Sequence, residues 1–414
     1  MFIAILGRQP EFGAAELERL YGAANVHWFS NQSMLVKSDS FDFNRLGGSL
    51  KAGRVVFESR GNWRELSEQL TTHYSKIWSG AEHKITLGIS AYGLEVAPCQ
   101  LQQCGINLKK QLQRCGVSLR LIPNNQAALN TATSHHNKLG LSPHKVELLI
   151  VRAKSGRIIV AESVGAQNIS ALAARDQKRP KTDAFVGMLP PKLARIMVNL
   201  ASLPLQSPAS ASNHRENVHT SPNPALILDP FCGTGTVLQE ALLEGYDVLG
   251  SDLNPKMIDY TAENLAWLQR KFQPRGNIIA LTPGDATKFQ WQTGRTIDAV
   301  VCETYLGQPF SAPPRPEKLR KVAANCNHII TEFLKNLRPQ LSSQTALVLA
   351  VPAWRDHAGN FTHLPLLNQL ENLGYQPIPL QHVRSSNLIY YRENQVVARE
   401  ILILSPRSSS AKSP

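Results

Sequence analysis

ALILDPFCGTGT, residues 225–236, decides the fold. An apolar, strand-like run ends in Asp229, and Gly233 and Gly235 follow in a loop that opens into helix-patterned sequence. Glycine lets a backbone turn sharply and lets a ligand come close, and the free N–H groups of a helix start face that ligand. Downstream the alternation repeats: DVLGSD (247–252), a helix pattern from Pro255, NIIAL (277–281), DAVVCE (298–303), a helix pattern ending near Leu337, and ALVLAVP (346–352). Repeated strand–helix units build a parallel, doubly wound α/β sheet. The last run, LIYYRENQVVAREILIL (388–404), reads as two strands around Glu393-Asn394, so the predicted sheet ends in an antiparallel hairpin.

The strand ends carry acids. Asp252, in GSDLNP, is placed to accept hydrogen bonds from both hydroxyls of a ribose. The third strand leads to Gly284-Asp285-Ala286, where Asp285 can bind an adenine amino group. The G-x-G-x-x-G pattern of a dinucleotide loop is absent here. S-adenosylmethionine has no phosphate, and the loop would hold its amino-acid end, with Asp229 favouring the ammonium. The expected binding set is Asp229, Pro230, Phe231, Cys232, Gly233, Thr234 and Gly235, joined by Asp252, Leu253, Asp285 and Ala286.

Outward from this core, 414 residues suit two or three domains. Residues 1–55 open with MFIAIL and a helix-like EFGAAELERL, predicting a small α/β lobe. Residues 56–170 form a second unit: a strand at 85–90, a helix over Asn107–Cys115 ended by Gly116, a strand at 118–122, helical sequence over 128–139, and a hairpin of 145–152 with 157–162. Residues 171–201 are a charged bridge, then a helix starting at Pro190-Pro191 with Leu193, Ile196, Met197 and Leu200 on one face. Residues 202–224 are Ser, Pro and Asn rich and predict a disordered insertion; the catalytic domain is expected over 225–405 and a disordered tail over 406–414.

No apolar run is long enough to cross a bilayer, and the apolar start is too short for a signal peptide, so the expected setting is the cytoplasm. Six cysteines without CxxC spacing predict reduced thiols and no zinc site, and the adjacent His135 and His136 have no ligand spacing around them, so no metal is expected. The net charge of +13 points to a polyanion. Its distribution favours nucleic acid: Lys109, Lys110, Arg114 and Arg120 gather on one helix and the next strand, and Arg175, Arg179, Lys181 and Lys192 gather in the bridge.

DPFCGTGT, GSDLNP and GDA resemble the class I methyltransferases that act on exocyclic amino groups, whose sheets end in such a hairpin. RDQKRPKTDAFVGMLPPKLARIMVNLA and the opening MFIAILGRQPEFGAAELERLYG are similar to THUMP-containing tRNA guanosine-N2 methyltransferases of the guanosine-10 type. That resemblance covers nearly the whole chain apart from the insertion and the tail. It implies a ferredoxin-like lobe, a THUMP domain (more loosely, over 85–165) that grips tRNA, and a Rossmann-like domain that methylates N2 of a guanine.

The resemblance also implies a D-P-P-Y loop after the fourth strand. Here the position reads Glu303-Thr304-Tyr305-Leu306-Gly307. Glu303 stands for the acid, one methylene longer, and Tyr305 for the aromatic, displaced by one residue. An acceptor carboxylate and a carbonyl would bind the two amino protons, and the ring would stack on a flipped base. Loss of both prolines predicts a looser loop. Three hypotheses stay open: methylation of a tRNA guanosine, methylation of ribosomal RNA or another nucleic-acid amino group, and a tRNA-binding protein whose catalytic loop has decayed.

Overall fold

The computed structural model describes residues 1–183, 189–202, 224–292 and 294–407, and all structural statements concern those residues. The chain divides into two compact units, Met1–Ala171 and Leu172–Pro414. Most of residues 202–224, namely 203–223, and the tail from 408 lie outside the described residues.

The first unit runs β1 (Phe2–Leu6), α1 (Pro10–Tyr21), β2 (Val26–Ser30), β3 (Ser33–Val36), β4 (Ser49–Ser59), α2 (Trp63–Ile77), β5 (Ile85–Tyr92), α3 (Pro98–Arg114), β6 (Leu119–Leu121), α4 (Thr131–His136), β7 (Lys145–Arg152) and β8 (Ile158–Ala166). Its strands join in one sheet, in the order β2-β3-β1-β4-β8-β7-β5-β6. The division expected at residue 55 falls inside β4. Lys51 to Arg54 pair with β1 on one side and β8 on the other, so one ladder spans both expected pieces. Gly53 permits this, because a Cβ there would lie 2.8 Å from the Glu162 carbonyl oxygen.

Two further expectations change. The helix expected from Asn107 begins at Pro98; Gly105 hides its first half from a propensity argument, yet its missing side chain admits Leu121. The helix expected over 128–139 shrinks to α4. Beneath the sheet, buried Lys51 meets buried Glu147 and donates to the Leu129 carbonyl at 2.7 Å, while Ser90 Oγ donates to the same carboxylate.

The second unit takes in most of α5 (Ile169–Gln177), then α6 (Pro191–Ala201), β9 (Leu226–Asp229), α7 (Thr236–Leu243), β10 (Asp247–Asp252), α8 (Pro255–Phe272), β11 (Ile278–Pro283), β12 (Ala299–Glu303), α9 (Pro316–Leu337), β13 (Ala346–Arg355), β14 (Phe361–Thr362), β15 (Tyr375–Pro377), β16 (Ile389–Tyr390) and β17 (Val397–Pro406). Prolines open α6, α8 and α9, where the missing N–H would be unpaired anyway. The sheet order is β11-β10-β9-β12-β13-β17-β15. The first five strands are parallel, and β17 and β15 are antiparallel to their neighbours.

The expected closing hairpin is present, with β16 antiparallel to β17 across the turn at 393–394, but it is unequal: β16 has two residues, while the long β17 also inserts between β13 and β15. The expected tail boundary also moves: Ser405 and Pro406 pair with β15, and Arg407 N–H bonds to the Gly374 carbonyl. Strand order reverses between β9 and β12, which opens a crevice at the strand C-termini.

Candidate active site

That crevice is a cleft of about 930 Å³, within the size range of small-molecule sites. The ends of β9, β10 and β12 and the turn after β11 converge on it, so that Asp229, Asp252, Asp285 and Glu303 all line it. The glycine loop crosses its floor. Gly233 and Gly235 have φ of +51° and +82°, and a Cβ at Gly235 would lie 3.0 Å from Thr261 Cγ2. The loop is tied down from α8, where Thr261 Oγ1 donates to the Gly233 carbonyl at 2.8 Å and Asn264 Nδ2 to the Thr234 carbonyl at 2.9 Å.

The acids differ in state. Asp229 accepts from the Phe231 N–H at 3.1 Å. Burial pushes its carboxyl well above the usual range, and the charges of Asp252 and Glu303 add to the rise. Asp252 accepts from the N–H of Gly233 and of Asn254, both at 2.9 Å. Burial raises it too, against those two bonds. Asp285 is held low by the Thr287 hydroxyl, which bonds it at 2.7 Å. Leu253 stands 73% exposed beside them, an apolar face presented to the cleft.

At the far end, Glu303 is 14% exposed and its Oε1 accepts from Arg399 Nε of β17. Burial raises its carboxyl, with Arg399 opposing. The loop that follows is not slack, contrary to the expectation from its missing prolines. Thr304 is buried, and its N–H and its hydroxyl both donate to the Ala350 carbonyl at 3.0 Å. Tyr305, 41% exposed, and Leu306 then line the cleft, and Gly307 turns the chain at φ +79°.

A family model described as DNA methylase matches residues 33–263, more than half of the chain. The chain belongs to this methylase family. A second model, described as methyltransferase domain, matches residues 227–328 of the methylase. A curated relative from Methanothermobacter thermautotrophicus, named tRNA (guanine(10)-N2)-dimethyltransferase, is 32% identical over 184 residues, 44% of each chain. Another of that name, from Pyrococcus abyssi, is 29% identical over 145 residues, 35% of this chain and 36% of the relative. The matches span less than half of the length of these relatives. A solved structure described as a possible methylase from Clostridium difficile 630 aligns with all of this chain and 99% of its own, at a TM-score of 0.50 and 13% identity, which shows the fold.

All of the expected loop residues except Gly235 line the methylase cleft, as do Leu253 and Ala286. Gly235 lies beneath, at the N-cap of α7. The bridge residues behave otherwise. Arg175, 5% exposed, pairs with Glu240 of α7 through Nε at 2.5 Å and Nη2 at 3.3 Å, and lies over the Phe272 ring. Arg179, 4% exposed, donates to Thr236 Oγ1 at 2.6 Å. Neither presents a surface charge: Arg175 is paired to a buried carboxylate and Arg179 is bound to the Thr236 hydroxyl. Lys181 is partly exposed, paired with Glu263 and set over Tyr260; Lys192 is half-buried. In the first unit Lys110, Arg114 and Arg120 are exposed and Lys109 half-buried.

Sequence reasoning missed Arg399, Thr261, Asn264 and the α9 face of Asn325, His328, Ile329 and Glu332 that lines the cleft. Arg399-Glu400 offered one signal: two adjacent charges inside the apolar run VVAREILIL. Both are buried, and Glu400 meets His363 Nδ1 at 2.6 Å.

Proposed function

We propose that the chain methylates the exocyclic N2 amino group of a guanosine in tRNA, with S-adenosylmethionine as donor. One observation carries this: the glycine loop with Asp229 and Asp252, and the Glu303–Tyr305 loop, open onto one cleft. The named activity of the curated relatives supports the substrate.

The residues fit the donor. The Cys232-Gly233-Thr234 turn, which lines the cleft, takes its amino-acid end, and buried Asp229 faces the ammonium. Asp252 takes the ribose hydroxyls on the lone pairs its two N–H bonds leave, and Leu253 and Ala286 flank the adenine beside Asp285. When bound, S-adenosylmethionine supplies an electrophilic methyl on a positive sulfur. Glu303 and the Thr304 carbonyl accept from the two amino protons of the guanine and turn its nitrogen lone pair toward that methyl. Glu303, or water beside it, would take the surplus proton of that nitrogen once the nitrogen has accepted the methyl. Tyr305 supplies a face for the extruded base.

The first unit, read as ferredoxin-like lobe and THUMP domain, grips the tRNA through Lys109, Lys110, Arg114 and Arg120, with Lys181 and Lys192 adding charge in the second. The cytoplasm is the setting, in keeping with six unpaired thiols. The test is transfer of tritiated methyl to bulk tRNA by wild type and Glu303→Ala, followed by mass spectrometry of the nucleosides. N2-methylated guanosine from wild type, reduced at least ~100-fold in the variant, is the expected result. Label entering only DNA or ribosomal RNA refutes the tRNA assignment, and S-adenosylhomocysteine binding without transfer to any nucleic acid refutes catalysis.

A further inference from the structure

We propose that Arg399 is the positioning residue of the methyl-transfer site: it holds Glu303 Oε1 from β17 so that the other carboxylate oxygen, Oε2, meets the incoming amino group. This rests on the assignment of Glu303 as the amino-group acceptor.

The geometry is specific. Glu303 ends β12 opposite Ala350 of β13, and Arg399 sits on β17 opposite Pro352, so the guanidinium reaches across β13 to the carboxylate. Both side chains are nearly enclosed, at 10% and 14% exposure. Among the described residues neither has another hydrogen-bonding partner. The arrangement answers the problem the sequence poses. A glutamate has one more rotatable bond than the aspartate of the related loop, and a free side chain samples orientations that misplace the acceptor. A planar guanidinium fixes a carboxylate in direction as well as charge. Thr304, pinned to β13, fixes the backbone carbonyl beside it.

The pair also sets the charge at the reacting end. Arg399 from β17 meets Glu303 directly, and Asp229, Asp252, and His328 and Glu332 of α9 line the same cleft. Burial favours a protonated Glu303, which could not accept from an amine, and Arg399 opposes it.

Two readouts test this on the full chain. Carbon-13 carboxyl titration, with Glu303 assigned by its absence from Glu303→Gln, reports the carboxylate directly. Arg399→Met is expected to raise its midpoint by about one unit or more. Single-turnover transfer to tRNA is expected to show the acid limb of its pH profile moving up by the same amount, with S-adenosylhomocysteine affinity unchanged. Arg399→Lys should restore the limb but not the full rate. In a Glu303→Gln background, Arg399→Met should cost nothing more. An unmoved carboxyl midpoint, or a uniform loss at every pH that persists in that background, overturns the proposal. Absence of transfer by wild type with S-adenosylhomocysteine still bound sinks the tRNA reading instead, and the carboxyl titration then decides the pair.

Discussion

Arg175 separates a surface role from a structural one. A phosphate contact predicts that Arg175→Ala weakens RNA binding and lowers the slope of log affinity against log salt by about 0.9. The geometry predicts something else. Losing one partner of a buried ion pair costs about 3–5 kcal/mol. Glu240 would keep Arg195, whose Nε lies at 2.8 Å, so the cost belongs near the lower bound, about 3 kcal/mol. For a unit of this size, each kcal/mol moves the melting midpoint by about 2–4 °C, giving a fall of about 6–12 °C. Glu240→Ala strips Arg175 of its carboxylate and leaves Arg195 only Glu244, at 3.4 Å, and should cost more, about 4–5 kcal/mol. Calorimetric melting at neutral pH, paired with tRNA binding at several salt concentrations, reads both quantities. A midpoint within about a degree of wild type, with a salt slope reduced by about one, would falsify the buried-lock account.

Asp229→Asn should raise the melting temperature at neutral pH while weakening S-adenosylhomocysteine binding. The folded carboxyl lies above its unfolded value, so its contribution is full at low pH and lost as pH rises through the folded value; the gain should vanish in acid, seen by melting across pH. Gly235→Ala meets Thr261 at φ +82° and should cost about 1–2 kcal/mol in backbone strain, with at least ~10-fold weaker cofactor binding by calorimetry. Thr304→Val removes one bond to Ala350 and should lower the transfer rate about 10-fold while leaving cofactor affinity in place; equal loss in both would refute it. Lys110→Glu with Arg120→Glu should flatten the salt dependence of tRNA binding, the slope falling by about one for each phosphate that is no longer neutralised.

Much of the second unit was legible because its signals are local. A strand, a glycine loop and a helix start are contiguous, and each acid sits at the end of its own apolar run. What was missed depends on pairing across long separations. Arg399 reaches Glu303 from 96 positions away, and β15 is three residues that become a strand only because β17 runs beside them. Bridge charge was misjudged for a related reason: RDQKRPK looks like a solvated basic stretch until Glu240, itself hidden in a mostly apolar helix, supplies a buried partner. The loop after β12 shows the converse, since a threonine hydroxyl does in place what a proline ring does by covalent restraint.

The order of strands in the first unit governs how it can be made. β8, the last to be synthesised, lies at the centre of the sheet between β4 and β7. A nascent chain that has emerged only as far as residue 150 therefore has both flanks and no keystone. β4 and β7 must wait with bare edges, and Lys51 and Glu147 sit on those waiting strands. Such separated pairings close slowly and expose unpaired strands meanwhile. Folding of this half during translation should thus come as one late event, and an arrest before residue 158 should leave it dependent on a chaperone.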